Sequence, residues 1–196
     1  MLDFIAENFE ASTAQAAVID DKLWGIPAEV ALYMLIYNKK LFAEAGIAEP
    51  PTDWPSLMNA AANIAKRDSL GRVKVAGYAF GPSVANAAHP FRTLLFSKGT
   101  SILTDDLMGT HLTEPAAVED LEGLEGLEGL EGLAELFRDG LTSASHQIRD
   151  FPAGRIGMIT GANWMKQLMR ERLGNKLDET VGVAPIPGGP DWKTYQ

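Results

Sequence analysis

One short stretch of this sequence places a broad aromatic ring where it could meet a small molecule: Arg155 to Leu168, RIGMITGANWMKQL. Ile156 to Ile159 is an apolar run short enough for a buried strand. Gly161 breaks it, and Met165, Leu168 and Met169 then recur at helical spacing. Trp164 therefore falls in the first turn of a helix, just past the end of a strand. In α/β sheets, ligand sites open outside the carboxyl ends of strands. A large flat side chain there either plugs the core or faces a ligand.

Most signatures of covalent catalysis are absent. The sequence holds no G-x-S-x-G, no Walker phosphate loop, no H-E-x-x-H and no G-x-G-x-x-G. With no cysteine there is neither a disulfide framework nor a thiolate nucleophile. His89, His111 and His146 are too widely spaced for a metal-ligand pattern. Asp105 and Asp106 precede Gly109 at a spacing that fits a solvated turn rather than a calcium loop. No residue is assigned a catalytic or metal-binding role, no cofactor is expected, and the chain is read as a non-enzyme.

The elements that would hold Trp164 follow from pattern. Residues 1 to 20 read as a short amphipathic helix, with Leu2, Ile5 and Phe9 on one face, and then a polar connection. EVALYMLIYN is strand-like, and a helix over Lys39 to Ala45 ends at Gly46. Asp53 is the expected N-cap of a second helix, with Pro55 in its first turn. VKVAGYAFG reads as a strand, PFRTLLFSKG as a helix, SILTDDLMGTHLT as two short strands around a turn, and TVGVAPI as the last strand. Trp24, Tyr37 and Trp54 are read as packing residues. Strand and helix alternate, which predicts an α/β domain with a mostly parallel sheet flanked by helices.

One segment breaks the alternation. Leu121 to Gly132 is four copies of Leu-Glu-Gly. A three-residue period drifts about 60° per repeat on a helix, so these leucines wrap around it and form no stripe. Interior glycines cost roughly 1 kcal/mol each relative to alanine. Without three copies the sequence reads AAVEDLEGLAELFRDG, with its apolar residues on one face. The segment is read as a tandem expansion inside an ordinary helix rather than as a glutamate-lined binding strip.

A net charge of -9 argues against nucleic acid or anionic membranes as partners. The longest apolar run, Val30 to Tyr37, is too short to span a bilayer, and MLDFIAENFEAST has no basic n-region and is not read as a signal peptide.

Several of these segments, in this order, resemble the sugar-binding family of bacterial ABC-transporter solute-binding proteins. KLWGIP resembles the family's entry into the crossover between lobes. LIYNKKLFAEAGIAEPPTDWPSL resembles its strand ending in Tyr-Asn-Lys, its helix ending in Ala-Gly and its Pro-Pro-x-Thr-Trp, with Asp53 where threonine is usual. FPAGRIGMITGANW resembles F-x-x-G-[KR]-x-A-M…G-x-W, with Gly157 in place of the common alanine, and VGVAPIPGG resembles the strand returning to the first lobe. The resemblance implies a type II periplasmic-binding-protein-like fold, two α/β lobes with the ligand between them. It implies that residues 1–24 are a remnant of the first lobe, 25–184 the second lobe, with the repeat at 121–132, and 185–196 a truncated crossover back.

The same resemblance assigns the site. The family stacks a sugar on a tryptophan at the position of Trp164. His89-Pro90-Phe91 occupies the place of a Glu-Pro-Tyr whose tyrosine also stacks, so Phe91 and His89 are expected at the ligand. Glu29 and Asn163 stand beside these positions as polar partners for hydroxyls. The expected function is capture of a neutral mono- or oligosaccharide for delivery to ABC permease subunits. The parent would lie in the periplasm or be anchored outside the membrane, and the incomplete chain would self-associate. The alternatives are a receptor of the same fold for a non-sugar solute, a carbohydrate-processing enzyme, or a truncated chain with no function of its own.

Overall fold

A computed structural model describes residues 2–10, 13, 17–20, 22–26, 28–79, 102–104, 106, 108–110 and 134–187. The chain divides after Leu32 into two compact units. In the first, helix α1 (Leu2–Asn8) buries Ile5, while Phe4 and Phe9 meet edge-on at 6.4 Å. Beyond it lies a small antiparallel hairpin of β1 (Val18–Ile19) and β2 (Lys22–Leu23), where a plain polar connection was expected. Asp20 turns the hairpin at φ +50, a left-handed conformation that aspartate adopts more readily than most residues. Trp24 does not pack in a core. Its ring is 72% exposed, and its indole N–H donates to the Ile19 carbonyl at 3.2 Å, so it ties the hairpin from outside.

In the second unit, β3 (Tyr33–Asn38) starts four residues later than the apolar run EVALYMLIYN suggests. Its ladder with β6 (Ile156–Ala162) ends at the pair Tyr33–Ala162, so the extent of the partner sets where the strand begins. Asn38 then accepts the backbone N–H groups of Lys40 and Leu41 and starts α2 (Lys39–Glu44). Gly46, at φ +71, follows the end of that helix. Asp53 caps α3 (Trp54–Ile64) in a reciprocal capping box with Ser56, and Pro55 lies in the first turn. Hydrogen bonds from Ser56 hold the Asp53 carboxyl below its usual pKa.

The strands β4 (Lys66–Arg67), β5 (Val73–Ala79) and β7 (Val181–Ala184) complete one sheet with the order β4-β5-β6-β3-β7. The α/β layering holds, but the sheet is mixed rather than mostly parallel. Among the described strands only β5 and β6 pair in parallel, and β4–β5, β6–β3 and β3–β7 are antiparallel. The cause is local. Asp68 accepts from the N–H groups of Leu70 and Arg72 and from the Arg72 side chain, and Gly71 sits at φ +75. This tight turn makes β4 and β5 a hairpin, so the chain reverses once more before β5 than a single helical crossover allows. Where two short strands around a turn were expected, the described residues of 101–113 hold one bridge, Leu103–Thr110, within which Asp106 accepts from the Met108 N–H and pairs with the Thr104 hydroxyl.

Alternation along β3 fills both faces of the sheet. Leu35 packs with Leu41, Phe42, Leu57 and Ile64 under α2 and α3, and Trp54 lies against this cluster as a structural residue. Ile36 packs with Ile159, Phe151 and the helices α4 (Met165–Leu173) and α5 (Leu177–Thr180) on the other face. Tyr37 packs on Phe42 with ring centroids 4.7 Å apart. The segments expected to hold the helix near residue 95 and the Leu-Glu-Gly repeat lie outside the described residues.

Candidate functional site

β6 runs seven residues, Ile156 to Ala162, so Gly161 continues the strand instead of breaking it. A Cβ at 161 would collide with the Met165 side chain and stand 2.9 Å from Ile36 Cδ1. The glycine therefore lets α4 fold back closely over the strand that precedes it. Gly77 plays the same part on the other face, where a Cβ would strike the Ala61 backbone of α3, and a Cβ at Gly157 would lie 2.8 Å from the Gly77 carbonyl.

Between β6 and α4 only Asn163 and Trp164 make the turn. The Asn163 carbonyl accepts the Lys166 N–H at 3.1 Å, and the Trp164 carbonyl accepts the Gln167 N–H at 3.2 Å. Trp164 already has helical dihedrals, φ -63 and ψ -22, immediately before the first residue of α4. Met165 and Met169 face the core, which leaves Trp164 47% exposed at the carboxyl end of β6. Leu168, expected on the buried stripe with the two methionines, is 43% exposed. It lies one turn beyond Trp164 on the same flank of the helix.

A pocket of about 300 Å³ lies on the other flank of α4. Its floor is apolar: Met34 and Ile36 of β3, Met169 of α4, Leu177 of α5, and Val181 and Val183 of β7. Asn163, Lys166 and Asp178 add polar groups to the lining. The Asp178 carbonyl is itself held by the Lys39 ammonium at 2.8 Å. Lys166 and Asp178 were not singled out from the sequence. They lie on separate helices, and neither belongs to a motif.

The sequence-derived site residues separate as follows. Asn163 and Trp164 are adjacent at the end of β6, and Glu29 is exposed in the first unit in a stretch without regular secondary structure. Phe91 and His89 lie outside the described residues. Arg155 stands at the opposite end of β6, about 20 Å away for a strand of this length. It is engaged by Asp150, which also accepts the Gln147 N–H at 2.8 Å. His146 is buried with Nδ1 2.7 Å from the Ser143 hydroxyl. Among the described residues no cluster of His, Asp or Glu could hold a metal ion, and no helix is long and apolar enough to cross a membrane.

Comparison with known proteins decides the family. The model of the family described as "Bacterial extracellular solute-binding protein" matches residues 3–195. The chain belongs to that family. A binding protein of Brucella abortus (strain 2308) is 30% identical over 193 residues, covering 97% of this chain and 44% of its own length. The chain thus spans less than half of the curated relatives it matches. A solute-binding protein of Thermotoga lettingae with bound α-D-tagatose superposes with a TM-score of 0.72 at 21% identity, covering 91% of this chain and 44% of that one. A maltose-bound protein of T. maritima gives 0.72 at 18%, covering 98% and 47%. The cyclic α-maltosyl-1,6-maltose binding protein of Arthrobacter globiformis gives 0.69 at 24%, covering 98% and 46%. At these identities the likeness concerns the fold, and the fold is that of the extracellular solute-binding proteins.

Proposed function

We propose that this solute-binding protein contributes one wall of a carbohydrate cleft, and that Trp164 is its stacking platform. The observation that carries the proposal is a half-exposed indole at the carboxyl end of a central strand, held by a two-residue turn. Sugar rings present C–H faces that lie flat on aromatic rings, and their hydroxyls need groups that both donate and accept, such as the Asn163 amide. Relatives of the same fold hold tagatose and maltose, which supports a neutral saccharide as ligand. A small anion is less well served, because Arg155 is paired with Asp150 at the far end of the strand.

On this reading the body from Tyr33 onward supplies most of the second lobe, expected over 25–184. Glu29, His89 and Phe91 are further sugar contacts on the strength of the family resemblance alone, the partners are ABC permease subunits, and the setting is the periplasm or the outer side of the membrane. No covalent step is involved. A cleft with both walls and micromolar affinity corresponds to about -8 kcal/mol, and half of that, about -4 kcal/mol, is millimolar. Saturation-transfer NMR and calorimetry with glucose, galactose, mannose, maltose and mannitol on the 196-residue chain should detect millimolar binding that Trp164→Ala abolishes. Binding unaffected by that substitution overturns the site.

A further inference from the structure

We infer that the site takes a glycoside with an apolar aglycone: the sugar lies on Trp164 and the aglycone enters the pocket between α4 and β7. The inference rests on the carbohydrate reading above and specifies its substrate class. The two places meet at Asn163, which precedes Trp164 in the turn and lines the near end of the pocket, so one ligand would pass over the amino end of α4 from one flank to the other. The pocket begins at the carboxyl end of β6, where Ala162 ends the strand and Met34 pairs with Gly161, and runs along β3 to Val181 and Asp178 at the amino end of β7.

The lining matches the two halves of such a ligand. Met34, Ile36, Met169, Leu177 and Val183 offer no hydrogen bond to a hydroxyl, so a bare sugar in this pocket would lose its water without replacement. Asn163, Lys166 and Asp178 supply both donors and acceptors at its lining, with one positive and one negative charge. That pattern fits a neutral molecule with an apolar body and polar substituents better than it fits an ion. A volume of about 300 Å³ lies at the small end of ligand pockets and suits a short alkyl or single aromatic group. Val183 is 61% exposed on the outer strand of the sheet, so the pocket is open to entry on that side.

The test compares methyl, hexyl and phenyl glycosides of glucose, galactose and mannose, below any micelle-forming concentration, by calorimetry and saturation-transfer NMR on the intact chain. The hexyl chain adds five methylenes, and burying a third of that surface strengthens binding about tenfold. The expected result is a hexyl-to-methyl affinity ratio of about ten or more, collapsing in Val183→Asp and kept in Val183→Leu, with Trp164→Ala weakening every glycoside. Equal affinity for methyl and hexyl glycosides overturns the aglycone assignment and leaves the sugar reading standing. Hexyl glycoside binding that 1-hexanol matches and Trp164→Ala does not touch also overturns it, since the pocket would then act independently of the stacking site. Failure of every glycoside and every free sugar removes the carbohydrate reading and this inference with it.

Discussion

Trp164 takes its position from the turn it sits in and from the packing of the helix that follows. Asn163 and Trp164 form a turn of minimal length, and the glycine at 161 lets Met165 pack directly against β6. Gly161→Ala is expected to push Met165 and Ile36 aside, and both are flexible side chains. We expect a loss of about 1–3 kcal/mol in urea unfolding together with an altered Trp164 environment. Fluorescence of this variant should shift relative to wild type, and subtracting the spectrum of Trp164→Phe isolates the contribution of that one indole. Gly77→Ala should cost more, because the obstacle there is the Ala61 backbone rather than a side chain that can rotate. A Gly161→Ala protein as stable as wild type would show that close approach is not why glycine stands there. The position of the candidate site was partly legible in the sequence, since a short apolar run, a glycine and an aromatic marked the strand end. What could not be read was the role of Gly161, because a strand break and a close helix approach both call for a residue without Cβ.

At the level of elements, two aspartates fasten local structure and make it acid-sensitive. Asp53 caps α3, and Asp53→Ala should cost about 1 kcal/mol. Asp150 closes the turn before β6. Burial opposes its charge, but the Gln147 N–H and the Arg155 guanidinium outweigh burial, His146 adds to them, and the net pKa is lowered. Both carboxyls titrate below their ordinary value in the folded chain, so their contribution is complete above the unfolded pKa. It is lost as pH falls through the folded pKa. The urea midpoint should therefore be level above about pH 5 and fall below about pH 4, with a shallower fall in Asp150→Asn. An unchanged acid slope in that variant would remove Asp150 from the account. The capping box was readable because an N-cap needs only local residues. The hairpin β4–β5 was not, since β4 is only two residues long and leaves no periodic signal.

For the whole molecule, the Leu-Glu-Gly repeat is the feature with the clearest sequence-level consequence. Deleting nine residues, Leu121 to Gly129, removes three glycines and restores one apolar face. The expected gain is roughly 1–3 kcal/mol if the repeat is helical, with no change if it lies outside the helix. A sharply lower denaturation midpoint would mean that the repeat packs as a structural element. The relatives are more than twice as long as this chain, and Trp24, Trp164, Leu168 and Val183 leave apolar surface exposed. Exposed aromatic and aliphatic groups of this kind favour association, so sedimentation velocity should show concentration-dependent oligomers that Trp24→Ser with Trp164→Ser reduces. A strictly monomeric chain over a hundredfold concentration range would count against that expectation.

The sequence alone determined what depends on neighbours along the chain. It marked the caps at Asp53 and Gly46, the apolar cores of β3, β5 and β6, the α/β alternation, and the ordered motifs by which the family could be recognised. Each arises from propensity, spacing or turn chemistry within a few residues. Tertiary structure decided the rest. The direction of β5 depends on one hairpin, the start of β3 on where β6 ends, and the exposure of Leu168 on which flank of α4 meets the sheet. The pocket needs Met34, Lys166, Asp178 and Val183 together, and no local pattern brings them there. Such features are differences in burial and pairing between distant segments, and they acquire definite values only once the chain has packed.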